Sequence, residues 1–300
     1  MKQLRYLLIV TLLSFPAIVG VNQTATHPKN ALSSAPTSRD VITGMLGAID
    51  KTRTLQYTFK SYERLKDGKT FYTEMEMKVQ VSPVKVYGFT KSDPNKGVEV
   101  LYVTGKWENK ALVNPGKWLP NVKLSPYGDR MRENQHHTIL DSGFGLLADI
   151  IRNAMSKADT EKPGEFNSIF QYEGDITWEG RACYKISIND PTFAYVDYTV
   201  QPGDNIDNIA RRKFICGYLI IEKNPSVKDW ESLKPGMKIK IPSSYAKKTI
   251  LYIDKRNYLP VVQIMHDEAG QFEKYEFHNL KVNPVFKDNE FTPEFEGYDF

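Results

Sequence analysis

Residues 198–242 read YTVQPGDNIDNIARRKFICGYLIIEKNPSVKDWESLKPGMKIKIP, and four short elements follow one another there. Tyr198 to Val200 predicts a strand and Pro202-Gly203 a turn. Asp204 is placed as an N-cap, with Asp207 three residues on in a capping-box-like position. Ile206, Ile209 and Ala210 then share one helical face. Leu219, Ile220 and Ile221 mark a second short helix. Asn224-Pro225 ends it, because a residue before proline is pushed out of the helical region. Leu233 leads into a turn at Pro235-Gly236, and Met237, Ile239 and Ile241 alternate with Lys238 and Lys240 as a closing strand. The expected order is strand, helix, helix, strand.

On both sides the period is two. Tyr184, Ile186 and Ile188 precede the stretch, and Thr249 to Ile253 follow it. The expectation is one discontinuous domain over 40–197 and 247–300, with 198–246 inserted at a hairpin tip, where loop-closure entropy is small. Further upstream, Val41, Ile42, Met45, Leu46 and Ile49 form one helix face after Asp40, an apt N-cap. Leu55, Tyr57 and Phe59, then Phe71 to Val81, alternate as strands around Asp67-Gly68, a hairpin signal. Val84–Phe89 and Val98–Val103 extend the meander as far as a turn at Gly105-Lys106. A proline-rich stretch follows, and Leu146, Leu147, Ile150, Ile151 and Met155 give a second amphipathic helix. The chain closes with strands over 249–253, 260–265 and 271–277, with Gly270 at the last turn. The fold class expected is α+β, built on an antiparallel sheet with one face buried.

Composition agrees and narrows the function. Aromatic residues make up 12%, with 17 Tyr and 15 Phe, a usage that suits pleated half-buried surfaces. A net charge of +4 over 300 residues, without a basic block, argues against a nucleic-acid partner. Lys2 and Arg5 precede an apolar run from Tyr6 to Val19, too short to span a bilayer, so residues 1–20 read as a cleaved secretory signal. No Cys follows that run to carry a lipid anchor, and 21–39 reads as a flexible tether. The expected location is the periplasm of a Gram-negative envelope. Cys183 and Cys216 are the only cysteines, and spacing alone leaves their pairing open.

Catalytic chemistry finds no foothold. His136-His137, if on a strand, would point to opposite faces and could not share one ion. Cys183 sits in strand period as a small core residue, and no nucleophile elbow, phosphate loop or dinucleotide fingerprint occurs. No catalytic residue, metal or cofactor is expected.

Two family resemblances add to this reading. The YTVQPGD opening, Ile209-Ala210, the Asn224-Pro225 break and the LKPGMKIKIP ending together resemble the LysM family. That resemblance implies a βααβ fold that binds N-acetylglucosamine-containing glycans, usually peptidoglycan. Carried over by position, the groove lies between Gly203, Asp204, Asn205 and Ile206 and a second loop of Asn224, Pro225, Ser226 and Val227. Backbone groups there would pair with an acetamide, and Ile206 would pack its methyl. The competing view is that all eight residues are caps and turns. Phe214 stands where the family often has Gly, and Cys216 where it often has a capping Ser, Thr or Asp.

The ending LYIDKRNYLPVVQIMHDEAGQFEKYEFHNLKVNP resembles the closing strands of LolA-like lipoprotein carriers. This implies an incomplete antiparallel barrel curved over helices, with an apolar cavity walled by Tyr57, Phe59, Phe71, Met75 and Met77 unless those residues simply fill it. The leading functional expectation is a non-catalytic envelope protein that binds peptidoglycan through LysM, and a lipid, lipoprotein or protein partner through the larger domain. The alternatives are a structural protein with a filled core and a vestigial LysM, and a peptidoglycan-modifying enzyme.

Overall fold

A computed structural model describes residues 35–116 and 118–300. The signal predicted over 1–20 and residues 21–34 of the tether lie outside the described residues. Helix α1 (Ser38–Asp50) starts within the stretch expected to be tether. Its N-cap is Thr37 rather than Asp40. Thr37 Oγ1 accepts from the Asp40 N–H at 3.1 Å, and the Asp40 carboxylate accepts from the Thr37 N–H at 3.1 Å. Asp40 is thus the third-position partner of a capping box, which satisfies two N-terminal donors at once. The helix buries Val41, Ile42, Met45 and Ile49, each worth roughly 1.5–3 kcal/mol by transfer.

The meander follows as β1 (Thr54–Arg64), β2 (Thr70–Gln80), β3 (Lys85–Thr90), β4 (Glu99–Val103), β5 (Ala111–Asn114) and β6 (Val122–Leu124). A long segment with short 3₁₀ turns leads to α2 (Gly145–Glu161) and α3 (Phe166–Ile169), then β7 (Phe170–Trp178) and β8 (Arg181–Asn189). Next come β9 (Tyr195–Thr199), α4 (Ile206–Lys213), α5 (Gly217–Lys223) and β10 (Lys238–Pro242). The chain ends with β11 (Lys248–Asp254), β12 (Pro260–Asp267) and β13 (Gly270–Val282).

Eleven strands form one antiparallel sheet in the order β6-β5-β4-β3-β2-β1-β13-β12-β11-β8-β7. The two edge strands do not pair, so the barrel is incomplete, as expected. Two of its neighbour pairs, β1–β13 and β8–β11, join strands far apart in sequence. The second of these flanks the β9–β10 ribbon, which pairs only with itself and carries α4 and α5. None of the described helices is long and apolar enough to cross a membrane.

Register decides what faces the helices. Tyr57 lies opposite Met77, Phe59 opposite Met75 and Phe277, and Ser61 opposite Thr73 and Tyr275. Glu63 lies opposite Phe71 and Glu273, and β12 sets Gln263 beside Tyr275 and Met265 beside Glu273. Alternate residues share a face, so an aromatic band and a polar band lie side by side on the inner face. In the aromatic band, ring centroids are 5.1 Å apart for Tyr57–Phe277 and 4.6 Å for Phe144–Phe277, at the start of α2.

Candidate functional site: two loops, a buried seat and a cavity

The helical hairpin carries both candidate glycan loops. Asn205, not Asp204, caps α4: its side chain accepts from the Asn208 N–H at 2.8 Å, and Asn208 answers at 3.2 Å. Asp204 instead accepts from the Tyr198 hydroxyl, the Gln201 N–H and Arg212 at 2.6, 2.9 and 3.0 Å. Gly203, Asn205, Pro225 and Ser226 are exposed and Asp204 is half-buried. Ile206 and Val227 are fully buried, so neither side chain is presented to a ligand. Asn224 is buried too: its amide donates to the carbonyls of Ile220 and Lys240 and its oxygen accepts from the Lys240 N–H, each at 2.7 Å. It ties the end of α5 to β10. Ile206 of the first loop and Trp230 beyond the second converge on Gly217, where an added Cβ would lie 3.0 Å from Ile206 and 2.9 Å from Trp230.

Both departures from the family pattern have a place in the structure. Phe214 closes α4 at φ +53°, the left-handed region where Gly costs least. Cys216 makes no side-chain cap for α5; its thiol donates to Glu273 of β13 at 3.3 Å. Cys216 and Cys183 are both free and buried.

That thiol belongs to a polar seat on which the hairpin rests. One oxygen of Glu273 lies 2.9 Å from His136 Nδ1 and 3.2 Å from His137 Nε2, and the other accepts from the Tyr245 hydroxyl at 2.8 Å. The two histidines sit in a bend rather than a strand, so the alternation expected of them does not apply and both rings reach one carboxylate. The His136 ring stacks on Tyr218 of α5 at 4.0 Å, and its Nε2 meets the Arg64 carbonyl at 2.8 Å. Burial alone would raise Glu273, but the His137 charge and both histidine contacts hold it well below the usual carboxylate range. Burial would lower His137, yet the Glu273 charge and hydrogen bond push it up to about 9. Burial and Glu273 both push the Cys216 thiol well up, so it stays protonated and unreactive. His136, Cys216 and Glu273 bring donor atoms within 4.8 Å of one another, a set whose types suit a metal ion. In this arrangement hydrogen bonds to Glu273 occupy them.

Arginines clamp the rim of the seat. Arg64 donates to Glu222 of α5 at 2.8 and 2.9 Å and to Asp267 at 3.0 and 2.7 Å. Arg132 is buried, grips both oxygens of Asp207 at 2.8 and 2.9 Å, and lies over the Trp230 ring at 3.1 Å. Lys66 donates to the Val227 carbonyl at 2.9 Å, which occupies one backbone acceptor of the second candidate loop.

On the inner face lies a cavity of about 350 Å³, within the range of small-molecule sites. Tyr57, Phe59, Met75 and Met77 line it; Phe71, the fifth residue expected there, is not part of the wall. Leu147 and Ile150 of α2 cover it, and Glu63, His137, Tyr245 and Gln263 give it a polar end. A second cavity of about 260 Å³ shares Ile150 and Tyr245 with the first and reaches Phe214.

Two stretches of the chain match known families. Residues 52–198 match the family described as protein of unknown function (DUF1571), and residues 198–242 match the LysM domain. A comparison with curated proteins finds no match. Among solved structures, the chain is similar to the lipoprotein LppX of Mycobacterium tuberculosis, with 13% identity over 83% of this chain and 96% of that one and a TM-score of 0.38. A putative outer membrane lipoprotein-sorting protein domain from Vibrio parahaemolyticus is similar at 7% identity over 85% and 96% of the two chains, with a TM-score of 0.34. The LolA superfamily protein NE2245 from Nitrosomonas europaea is similar at 9% identity over 86% and 98%, with a TM-score of 0.34. The strand, helix, helix, strand unit at 198–242, held to the sheet by Arg64 and Glu273 and to the segment before α2 by Arg132, is a LysM domain.

Proposed function

We propose that this is an exported envelope protein that binds and does not catalyse. Its LysM domain takes an N-acetylglucosamine-containing glycan of peptidoglycan, and its cavity takes an apolar chain from a lipid or lipoprotein. The observation that carries the glycan reading is the LysM match, with Gly203, Asn205, Pro225 and Ser226 left exposed on its two loops. With Ile206 buried and the Val227 carbonyl engaged by Lys66, contact falls to the backbone of those exposed residues. The cavity reading rests on an apolar wall of aromatic and methionine side chains, which adapt to flexible chains. Export to a Gram-negative periplasm belongs to the same reading.

Sedimentation with insoluble peptidoglycan, competed by soluble N-acetylglucosamine oligomers, tests it. The wild type should pellet and be released by the oligomers. Ser226→Trp, at an exposed position, should reduce pelleting while circular dichroism stays unchanged. A folded wild type that stays in the supernatant would favour a second reading, in which LysM is a structural insert. The clamp by Arg64, Lys66 and Arg132 is the observation behind that alternative.

A further inference from the structure

The polar band that runs through the cavity has more hydrogen-bonding capacity than the protein uses. Ser61, Glu63 and Gln263 are 1%, 2% and 4% exposed. Ser61 Oγ, Glu63 Oε2 and Gln263 Nε2 have no hydrogen-bond partner among the described residues. Such groups are rare, because each buried unpaired polar atom costs about 1–3 kcal/mol. Register places them together. Ser61 and Gln263 lie on either side of Tyr275, and Glu63 lies one inward-facing step along β1 from Ser61. Tyr275 donates to the first oxygen of Glu63 at 2.7 Å, which fixes the carboxyl and leaves the second oxygen free. Glu63, Gln263 and Tyr275 all line the cavity. The neighbouring band, Tyr57, Phe59 and Phe277, is aromatic and lines it too.

The chemistry of the unpaired atoms is specific. A carboxylate oxygen accepts and a primary amide nitrogen donates. A group that completes both must itself donate once and accept once, as a hydroxyl or a carboxamide does. A carboxylate or phosphate head only accepts, so it has no donor for the unpaired oxygen of Glu63, although His137 and Arg130 both line the cavity. We infer that the cavity selects a single-chain amphiphile with a neutral hydroxyl- or amide-bearing head seated between Glu63 and Gln263 and its chain along Tyr57, Phe59 and Met75. This rests on the cavity reading above and adds the class of head group. At about 350 Å³ the cavity lies at the lower end of small-molecule sites, which suits a single short or medium chain.

The test compares ligands with the same chain and different heads. The mature protein is loaded with the neutral fluorescent probe N-phenyl-1-naphthylamine, then titrated with 1-monolaurin or with laurate at neutral pH. Monolaurin should displace the probe at a concentration at least about tenfold lower, the effect of a 1.4 kcal/mol difference. Glu63→Gln with Gln263→Leu should bring the two ligands to within about twofold, with the circular dichroism spectrum unchanged. Glu63→Gln alone keeps size and shape, and should narrow the gap if the double variant does not fold. Equal displacement by both ligands in the wild type would overturn the head-group assignment and leave the cavity reading standing. Failure to take up the probe at all would overturn both.

Discussion

His137 should make the protein measurably more stable in mild acid than in mild base. The ring touches Glu273, which raises its folded-state value from 6.5 to about 9. At about 1.4 kcal/mol per unit, this corresponds to about 3 kcal/mol. The side chain is 22% exposed, and solvent screening trims the figure to roughly 2–3 kcal/mol. A raised histidine contributes fully below its unfolded value and loses that contribution as pH rises through its folded value. The loss therefore falls between 6.5 and about 9. Glu273 has the opposite sign. Its depressed value contributes fully above 4.5 and is lost only as pH falls well below that. The pair is at full strength between 4.5 and 6.5. Burial lowers His266 and raises Cys183 to about 11, which places both outside the window. Urea unfolding at several pH values, on wild type, His137→Gln and Glu273→Gln, isolates the effect. The wild type should lose roughly 2–3 kcal/mol across the window, and both variants should lack that component. Identical slopes in wild type and His137→Gln would refute the pairing.

Further outcomes follow from the seat and the cavity. Arg132→Met should cost about 2–4 kcal/mol in denaturant unfolding, because Asp207 and the Trp230 face lose a buried partner. Adding Asp207→Asn should cost little more if the two residues act as a pair, as a double-mutant cycle would measure. Gly217→Ala should destabilise by about 1–3 kcal/mol, since the new methyl would press on Trp230 and Ile206. Limited proteolysis should then cut first within 198–242. Met75→Trp should fill the cavity and reduce uptake of an apolar probe at least tenfold, with peptidoglycan pelleting unchanged.

Features held by local chemistry were legible in the sequence. The α1 face, the alternation of β2 and the turns around 198–242 each depend on neighbours a few residues apart. Even these slipped by small steps. Asp204 and Asn205 are both good caps, and only the folded loop shows that Tyr198 and Arg212 claim the first and leave the second to α4. Phe71 keeps the correct parity but stands opposite Glu63, beyond the cavity wall. The seat was not legible. His136 meets Glu273 across 137 residues, and Arg132 meets Asp207 across 75. No periodic signal marks such partners. The strand rule applied to His136-His137 fails because that segment is bent.

The β9–β10 ribbon sets how this protein would bear a pull. The two strands run side by side as the base of the LysM domain, with Tyr195 opposite Pro242 where the chain enters and leaves and Thr199 opposite Lys238 at the other end. A tug on the two candidate glycan loops would load this ladder end-on, so that its hydrogen bonds open in sequence like a zipper and resist little. Arg64, Lys66 and Arg132 hold α5, the second loop and α4 of the domain at points away from that ribbon and must yield before the zipper feels tension. The clamp would govern the force at which an anchored molecule lets go, and the ribbon would govern how far it extends afterwards.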